Sequence, residues 1–358
     1  MADVSGAKEN VKRVFYVRFL NHQIYLDLIA TRPEIRLDKL ENDSPDAAAA
    51  PIISAAHAYQ VSSARDELPA KYHVNKDFIA RAPSLLIVST GGAGYDTVNV
   101  KDCTDAGVLV VNQTGGNADA VAAHVLGVML MLSKQVVQVN QALRKGTMKD
   151  RNLYMGNDIN NRTIGIVGLG NVGRRLAKLC ATVFNMTVLA FDPFLDDKTI
   201  AERNATKVSL DELLCRSDFV SINCLLDDTT RNMISTREFG LMQKHAYYIT
   251  AARGFITDEK ALEDALRNKQ IAGAGLDVWS KEPPPMDHPL LQFDNVIASP
   301  HTAGVTKEAR ANMGKFAAEQ LILTLDGKQP PRMVNPEVWP AYAKRFERTF
   351  GIRPAGET

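Results

Sequence analysis

A chain of 358 residues, 45% hydrophobic and 23% charged, is long enough for two cored domains and has the ordinary composition of a soluble protein. Its net charge of +1 gives no electrostatic case for nucleic acid or an anionic membrane, and no apolar run reaches the ~20 residues that span a bilayer, so neither partner is expected. The four cysteines, Cys103, Cys180, Cys215 and Cys224, lack metal-ligand or redox spacing; no metal site and a reducing cytoplasm are expected.

The first ten residues, Met1 to Asn10, are polar and lack a signal-peptide core. Val14 to Val17, Leu85 to Ser89 and Val108 to Asn112 read as strands, and Asn42 to Ala56 as a loop with a short helix. This opening unit is α/β but has no glycine fingerprint after its first strand. After its second predicted strand, Gly91, Gly92 and Gly94 let backbone amides converge on an anion. Ala118 to Lys145 reads as one long helix stopped by Gly146, with Cys180 and Cys224 further on as buried thiols. Met148 to Asn161 reads as a polar loop.

Thr163 to Gly173 is the most informative stretch. An apolar strand runs into Gly168, Gly170 and Gly173, a helix follows over Asn171 to Phe184, and a second strand, Thr187 to Phe191, ends in Asp192. In a dinucleotide fingerprint the first glycine makes the tight turn, the second admits the pyrophosphate and the third lets helix and strand pack. Asp192 lies about 19 residues past Gly173, where a carboxylate accepts ribose hydroxyls. It would repel a 2′-phosphate, and Pro193, Phe194 and Leu195 follow it rather than a cation, so NAD is favoured over NADP.

Further strands are expected at Phe219 to Cys224, Ala246 to Thr250, Ile271 to Val278 and Asn295 to Ser299, with a helix over Asp258 to Lys269. The alternation implies a doubly wound parallel sheet. Lys307 to Leu325 reads as an amphipathic helix, and the proline-rich tail from Pro330 as irregular; about 30 residues after Leu325 are too few for another independent domain.

Ligands bind at the carboxyl ends of parallel strands. Arg253 follows one predicted strand, Asp277 and Glu282 the next, and His301 the last. Singly each has a bland reading, as a surface cation, a loop carboxylate or a turn residue. Together on one nucleotide-binding sheet they supply what reduction of a 2-oxo acid requires: a histidine that titrates near neutrality, a carboxylate that fixes its tautomer, and an arginine fork for the substrate.

Taken with Gly92-Ala93-Gly94-Tyr95-Asp96, Gly115-Gly116-Asn117, Ala252-Arg253-Gly254, Glu282-Pro283 and Pro300-His301, these blocks give a chain that resembles the D-isomer-specific 2-hydroxyacid dehydrogenases. The match runs from Gly92 to His301 in the family's order. The resemblance implies two doubly wound domains. Residues 116–307 would be an NAD-binding Rossmann domain, inserted in a flavodoxin-like substrate domain of residues 1–115 and 308–358. It implies catalysis by Arg253, Glu282 and His301, with Arg253 binding the substrate and Glu282 pairing with His301. Asp277 would hold the nicotinamide carboxamide. Gly168, Gly170, Asn171, Val172, Gly173, Asp192, Cys224, Ala251, Ala252, Arg253, Asp277, His301 and Ala303 would line the NAD site. The amides of Ala93 and Gly94 would cradle the substrate carboxylate. The helix after Asn117 would cross to a second subunit and make a homodimer.

The chain departs from the family pattern in three places. Thr250 stands where many members have Asn, Ala123 where many have Glu, and Asn223 to Asp227 replaces a common His-x-Pro-Leu-Thr run. Two other classes of function share the scaffold: an NAD-sensing co-repressor without turnover, and a dehydrogenase of formate or phosphite. Glu282 argues against formate, whose dehydrogenases usually carry Gln beside the catalytic His. Arg65 reads equally as a surface residue or as a contact for a substrate's distal anion, and Tyr95 as pocket wall or packing.

Overall fold

A computed structural model describes residues 11–354, so Met1 to Asn10 lies outside the described residues. The chain divides into two compact units. The first comprises the described residues up to Asn117 together with those from Lys307 onward; the second is Ala118–Thr306.

The first unit carries five parallel strands: β1 (Lys12–Val17), β2 (Ile35–Leu40), β3 (Ala58–Val61), β4 (Ile87–Thr90) and β5 (Leu109–Val111). Their order in the sheet is β2-β1-β3-β4-β5. This is the flavodoxin-like order, which reverses direction at β1. β3, β4 and β5 are buried along their whole length, so they lack the alternation that marks a half-exposed strand. That is why β3 left no signal in the sequence.

The second unit carries seven parallel strands: β6 (Thr163–Val167), β7 (Thr187–Phe191), β8 (Thr206–Lys207), β9 (Phe219–Ile222), β10 (Tyr247–Thr250), β11 (Gly273–Leu276) and β12 (Val296–Ala298). Their order is β12-β11-β10-β9-β6-β7-β8, the doubly wound Rossmann arrangement with one added strand, which reverses between β6 and β9. Two apolar clusters hold this sheet. One gathers Val220, Tyr248, Leu262 and Leu276; the other gathers Val125, Met129, Ile164, Leu176 and Cys180.

Two expectations fail. Residues 118–145 do not form one helix: Ala118–Ser133 and Val136–Arg144 are separate and bent by 62°. Gln135 between them has φ +52, and the Ser133 carbonyl accepts the Asn157 amide at 2.8 Å instead of continuing the helical ladder. A return segment thus breaks the helix, and neither Gly nor Pro marks the spot. Among the described residues, no single helix is long and apolar enough to cross a membrane.

The tail is also ordered. Trp339–Phe350 is a helix whose Trp339, Tyr342, Phe346 and Phe350 are buried. They join Val14, Ile87, Leu109 and Leu321 in one cluster of the first unit. Aromatic residues three and four apart form one helical stripe. Pro340 occupies the first turn, where the missing N–H costs nothing, so the proline that suggested irregular chain belongs to the helix start.

Candidate active site

The residues named for the second unit lie on the segments that leave the carboxyl ends of the strands of one sheet. His301 and Ala303 follow β12, Asp277 follows β11, and Ala251, Ala252 and Arg253 follow β10. Cys224 follows β9, the glycine turn follows β6, and Asp192 follows β7. The sheet order therefore lays the titratable groups at one end and the ribose-type carboxylate at the other.

The glycine turn matches the chemistry of a dinucleotide cradle position by position. Gly168 has φ +88, and a Cβ there would sit 2.8 Å from the Cys224 amide nitrogen, so only glycine closes this turn against the end of β9. A Cβ on Gly173 would collide with the Gly168 carbonyl oxygen. At Gly170 the opposite holds: a Cβ would meet nothing within 4 Å, so the backbone there faces open space. Gly170 is the N-cap of the helix Asn171–Phe184, and no side chain caps it. The first-turn amides and the positive helix end are thus left for an anion. Asp192 is tied to this turn: Leu169 N donates to its Oδ2 at 2.9 Å and Phe194 N to its Oδ1 at 3.1 Å. Cys224 is half-buried rather than buried, because it lies beyond the carboxyl end of β9, past the last residue of that strand.

At the other end, His301 Nδ1 and Glu282 Oε2 are 2.8 Å apart. Glu282 Oε1 accepts the Trp279 amide at 3.0 Å, so both carboxylate oxygens are held. The Trp279 indole N–H donates to the Ser299 carbonyl at 3.0 Å and ties the Glu282 loop to the His301 loop. The bracing role of Trp279 has no signature at the level of single residues. Gly254 beside Arg253 has no room for a side chain, since a Cβ would run into the Trp279 backbone.

The electrostatics follow from this geometry. The hydrogen bond to Glu282 raises the His301 pKa above 6.5; burial and the Arg253 charge oppose that, and the Glu282 and Asp277 charges support it. Burial pushes Glu282 up, but the hydrogen bond and charge of His301, the Trp279 amide and the Arg253 charge outweigh it and hold the carboxyl below 4.5. An ionised carboxylate beside a readily protonated imidazole has the chemistry that a general acid/base pair requires.

His301 also has φ +56, a left-handed conformation that costs a non-glycine residue ~1–2 kcal/mol. Asp277 offsets that cost. Its carbonyl accepts the His301 amide at 2.6 Å, and its carboxylate accepts the amides of Thr302 at 2.8 Å and Ala303 at 2.9 Å.

In the first unit, the loop after β4 is anchored by its carbonyls. Gly91 O accepts from the Asn21 side chain, Gly92 O from Gln113 N at 2.9 Å, and Ala93 O from Asn112 Nδ2 at 2.8 Å. Asp96 O accepts Arg65 Nε at 2.8 Å, so Arg65 braces this loop. With the carbonyls drawn back, the amides of Ala93 and Gly94 have no internal acceptor among the described residues.

Comparison with known proteins fits this layout. The family model described as "D-isomer specific 2-hydroxyacid dehydrogenase, NAD binding domain" matches residues 126–303. A glyoxylate reductase of Thermofilum pendens is 38% identical over 74% of this chain and 79% of its own length. This chain belongs to the D-isomer specific 2-hydroxyacid dehydrogenase family. A D-3-phosphoglycerate dehydrogenase of Archaeoglobus fulgidus is 35% identical over 75% of this chain and 51% of its own, so the chain spans about half the length of that relative. The crystal structure of a glyoxylate reductase from Paecilomyes thermophila has the same fold, with a TM-score of 0.81 at 24% identity over 91% of this chain and 99% of that one.

NAD is the cofactor of the matched family domain, and the turn from Gly168 to Gly173 fits it on geometry. At the same end of the sheet, the buried Thr250 hydroxyl at the end of β10 has no hydrogen-bond partner among the described residues. It stands where many family members carry Asn.

Proposed function

We propose that the chain is an NAD-dependent oxidoreductase that interconverts a D-2-hydroxy acid and its 2-oxo acid. The observation that carries this reading is the 2.8 Å His301–Glu282 pair, with Arg253 on the adjoining strand ends of a nucleotide-binding sheet. Bound NAD supplies or accepts the hydride at the substrate's second carbon. Arg253 would bind the carboxylate or carbonyl of the substrate through its guanidinium fork. His301 would give a proton to the carbonyl oxygen in reduction and take it from the hydroxyl in oxidation. Glu282 would hold the imidazole's other nitrogen and stabilise its charged form. Asp277, with one carboxylate lone pair still uncommitted, would receive the nicotinamide carboxamide. Gly168, Gly170, Asn171, Val172, Gly173, Asp192, Cys224, Ala251, Ala252 and Ala303 would line the rest of the NAD site. The Ala93 and Gly94 amides would receive the substrate carboxylate.

A substrate panel tests this: glyoxylate, hydroxypyruvate, pyruvate and phenylpyruvate with NADH, followed by loss of the reduced nicotinamide absorbance. Turnover of at least one is expected; none with any would refute the reading. His301→Ala should lower kcat by roughly 10² or more while NADH still binds.

We further propose a homodimer in a reducing cytoplasm. Val136, Leu143, Leu153 and Met155 expose large apolar side chains along the segment that follows the broken helix, which supports a covering partner. Sedimentation of the full chain distinguishes dimer from monomer.

A further inference from the structure

Asp277 holds the His301 loop in place, but its own carboxylate must be fixed for that to work. Its Oδ1 accepts the Ser299 hydroxyl at 2.6 Å as well as the Thr302 amide. Its Oδ2 accepts the Ala303 amide. Three donors therefore converge on one buried carboxylate. Ser299 has a single hydroxyl proton, and it is committed to Asp277. Only lone pairs of Ser299 Oγ remain to face His124, whose Nε2 lies 3.3 Å away. The Nε2 of His124 must therefore carry a proton and donate it. The direction of each bond is thereby set: His124 Nε2–H donates to Ser299 Oγ, Ser299 Oγ–H donates to the Asp277 carboxylate, and the amides of Thr302 and Ala303 donate to the same carboxylate.

We propose that His124 and Ser299 are positioning residues for the general acid/base His301, acting through Asp277. The inference rests on the proposed dehydrogenase reading for its kinetic consequence, but not for its structural one. His124 belongs to the helix Ala118–Ser133 and Ser299 follows β12, so the relay ties the catalytic loop to a packed helix of the same unit. Without it, the Asp277 carboxylate can rotate, the two amides lose their fixed acceptor, and His301 leaves its left-handed conformation more often. Neither residue needs to touch substrate. Bringing the substrate and His301 together stays intact, while the fraction of turnover-competent geometry falls.

The test uses the full chain in two independent arms. In the first, without turnover, the long-range proton–nitrogen spectrum reports the ring of His124. The expected result is the Nε2–H tautomer, or the doubly protonated ring at low pH; the Nδ1–H tautomer at neutral pH overturns the proposal. In the same arm, Ser299→Ala should speed hydrogen exchange at the Thr302 and Ala303 amides tenfold or more relative to amides of β10. Unchanged exchange overturns it. In the second arm, Ser299→Ala and His124→Leu should each lower kcat about tenfold with less than a twofold change in KM for the oxo acid. Ser299→Thr and His124→Gln, which keep a hydroxyl and a donor, should recover kcat to within about threefold. The double variant should be no slower than either single one, because the residues act as one chain. Losses that multiply, or a KM effect instead of a kcat effect, overturn the relay. If the unaltered protein turns over no oxo acid, the dehydrogenase reading fails, and the first arm still decides the positioning claim.

Discussion

The two units present the same architectural opportunity and treat it in opposite ways. Each is a parallel sheet whose order reverses beside its first strand, β1 in one and β6 in the other, and such a reversal opens a crevice at the strand ends. In the second unit, β6 passes through glycines into a helix whose N-cap, Gly170, offers no side-chain hydrogen bond. In the first, β1 leads to the helix Gln23–Ala30, and the N-cap His22 turns its ring to accept the Ile24 amide at 3.2 Å. The helix start is open in one unit and occupied by its own chain in the other. Topology supplies the crevice; the residue at the cap decides whether it can receive an anion.

The comparison can be broken most directly by closing the open end. Gly170→Asp would cap the helix with a carboxylate in the space now empty, and repel a pyrophosphate. NADH affinity, read by quenching of intrinsic fluorescence, should fall at least 100-fold while Tm stays the same or rises. Retained affinity would mean that the turn is not the cradle. Glu282→Gln acts on the side-chain end of the same sheet. It removes the main cause of the raised His301 pKa. Reduction needs the imidazolium, so its kcat is full below that pKa and declines about tenfold per unit as pH rises through it; oxidation has the opposite slope. In Glu282→Gln the descending limb of the reduction profile should move to lower pH, with kcat at neutrality down roughly 10-fold or more. An unmoved limb would remove Glu282 from this role. The smallest effect belongs to the first unit. His22→Ala should cost about 0.5–1 kcal/mol, a Tm drop of about 2–3 °C by calorimetry, with no change in NADH affinity. A change in affinity would show that the two helix starts are not as different in use as they are in capping.

Local signals carried the cofactor half of the site. Gly168 and Gly173 are forced by backbone geometry, and the helix Asn171–Phe184 and strand Thr187–Phe191 were both readable to the residue. The same holds for Lys307–Leu325. What failed was whatever depended on distant chain. The helix break at Gln135 is made by a carbonyl taken twenty-odd residues away, and the tail helix by an aromatic stripe that finds its partners on the first sheet.

The amino-acid sequence by itself determined the parallel α/β character and the dinucleotide turn, and singled out Arg253, Glu282 and His301 as candidates, because each is a matter of period, backbone sterics or the chemistry of one side chain. Tertiary structure alone decided which atoms meet. It set Glu282 between Trp279 and His301, held His301 left-handed by Asp277, and set Ser299 and His124 behind that carboxylate. Hydrogen bonds between strand-end loops link residues far apart in the chain, and no local pattern encodes a partner that only packing brings within 3 Å.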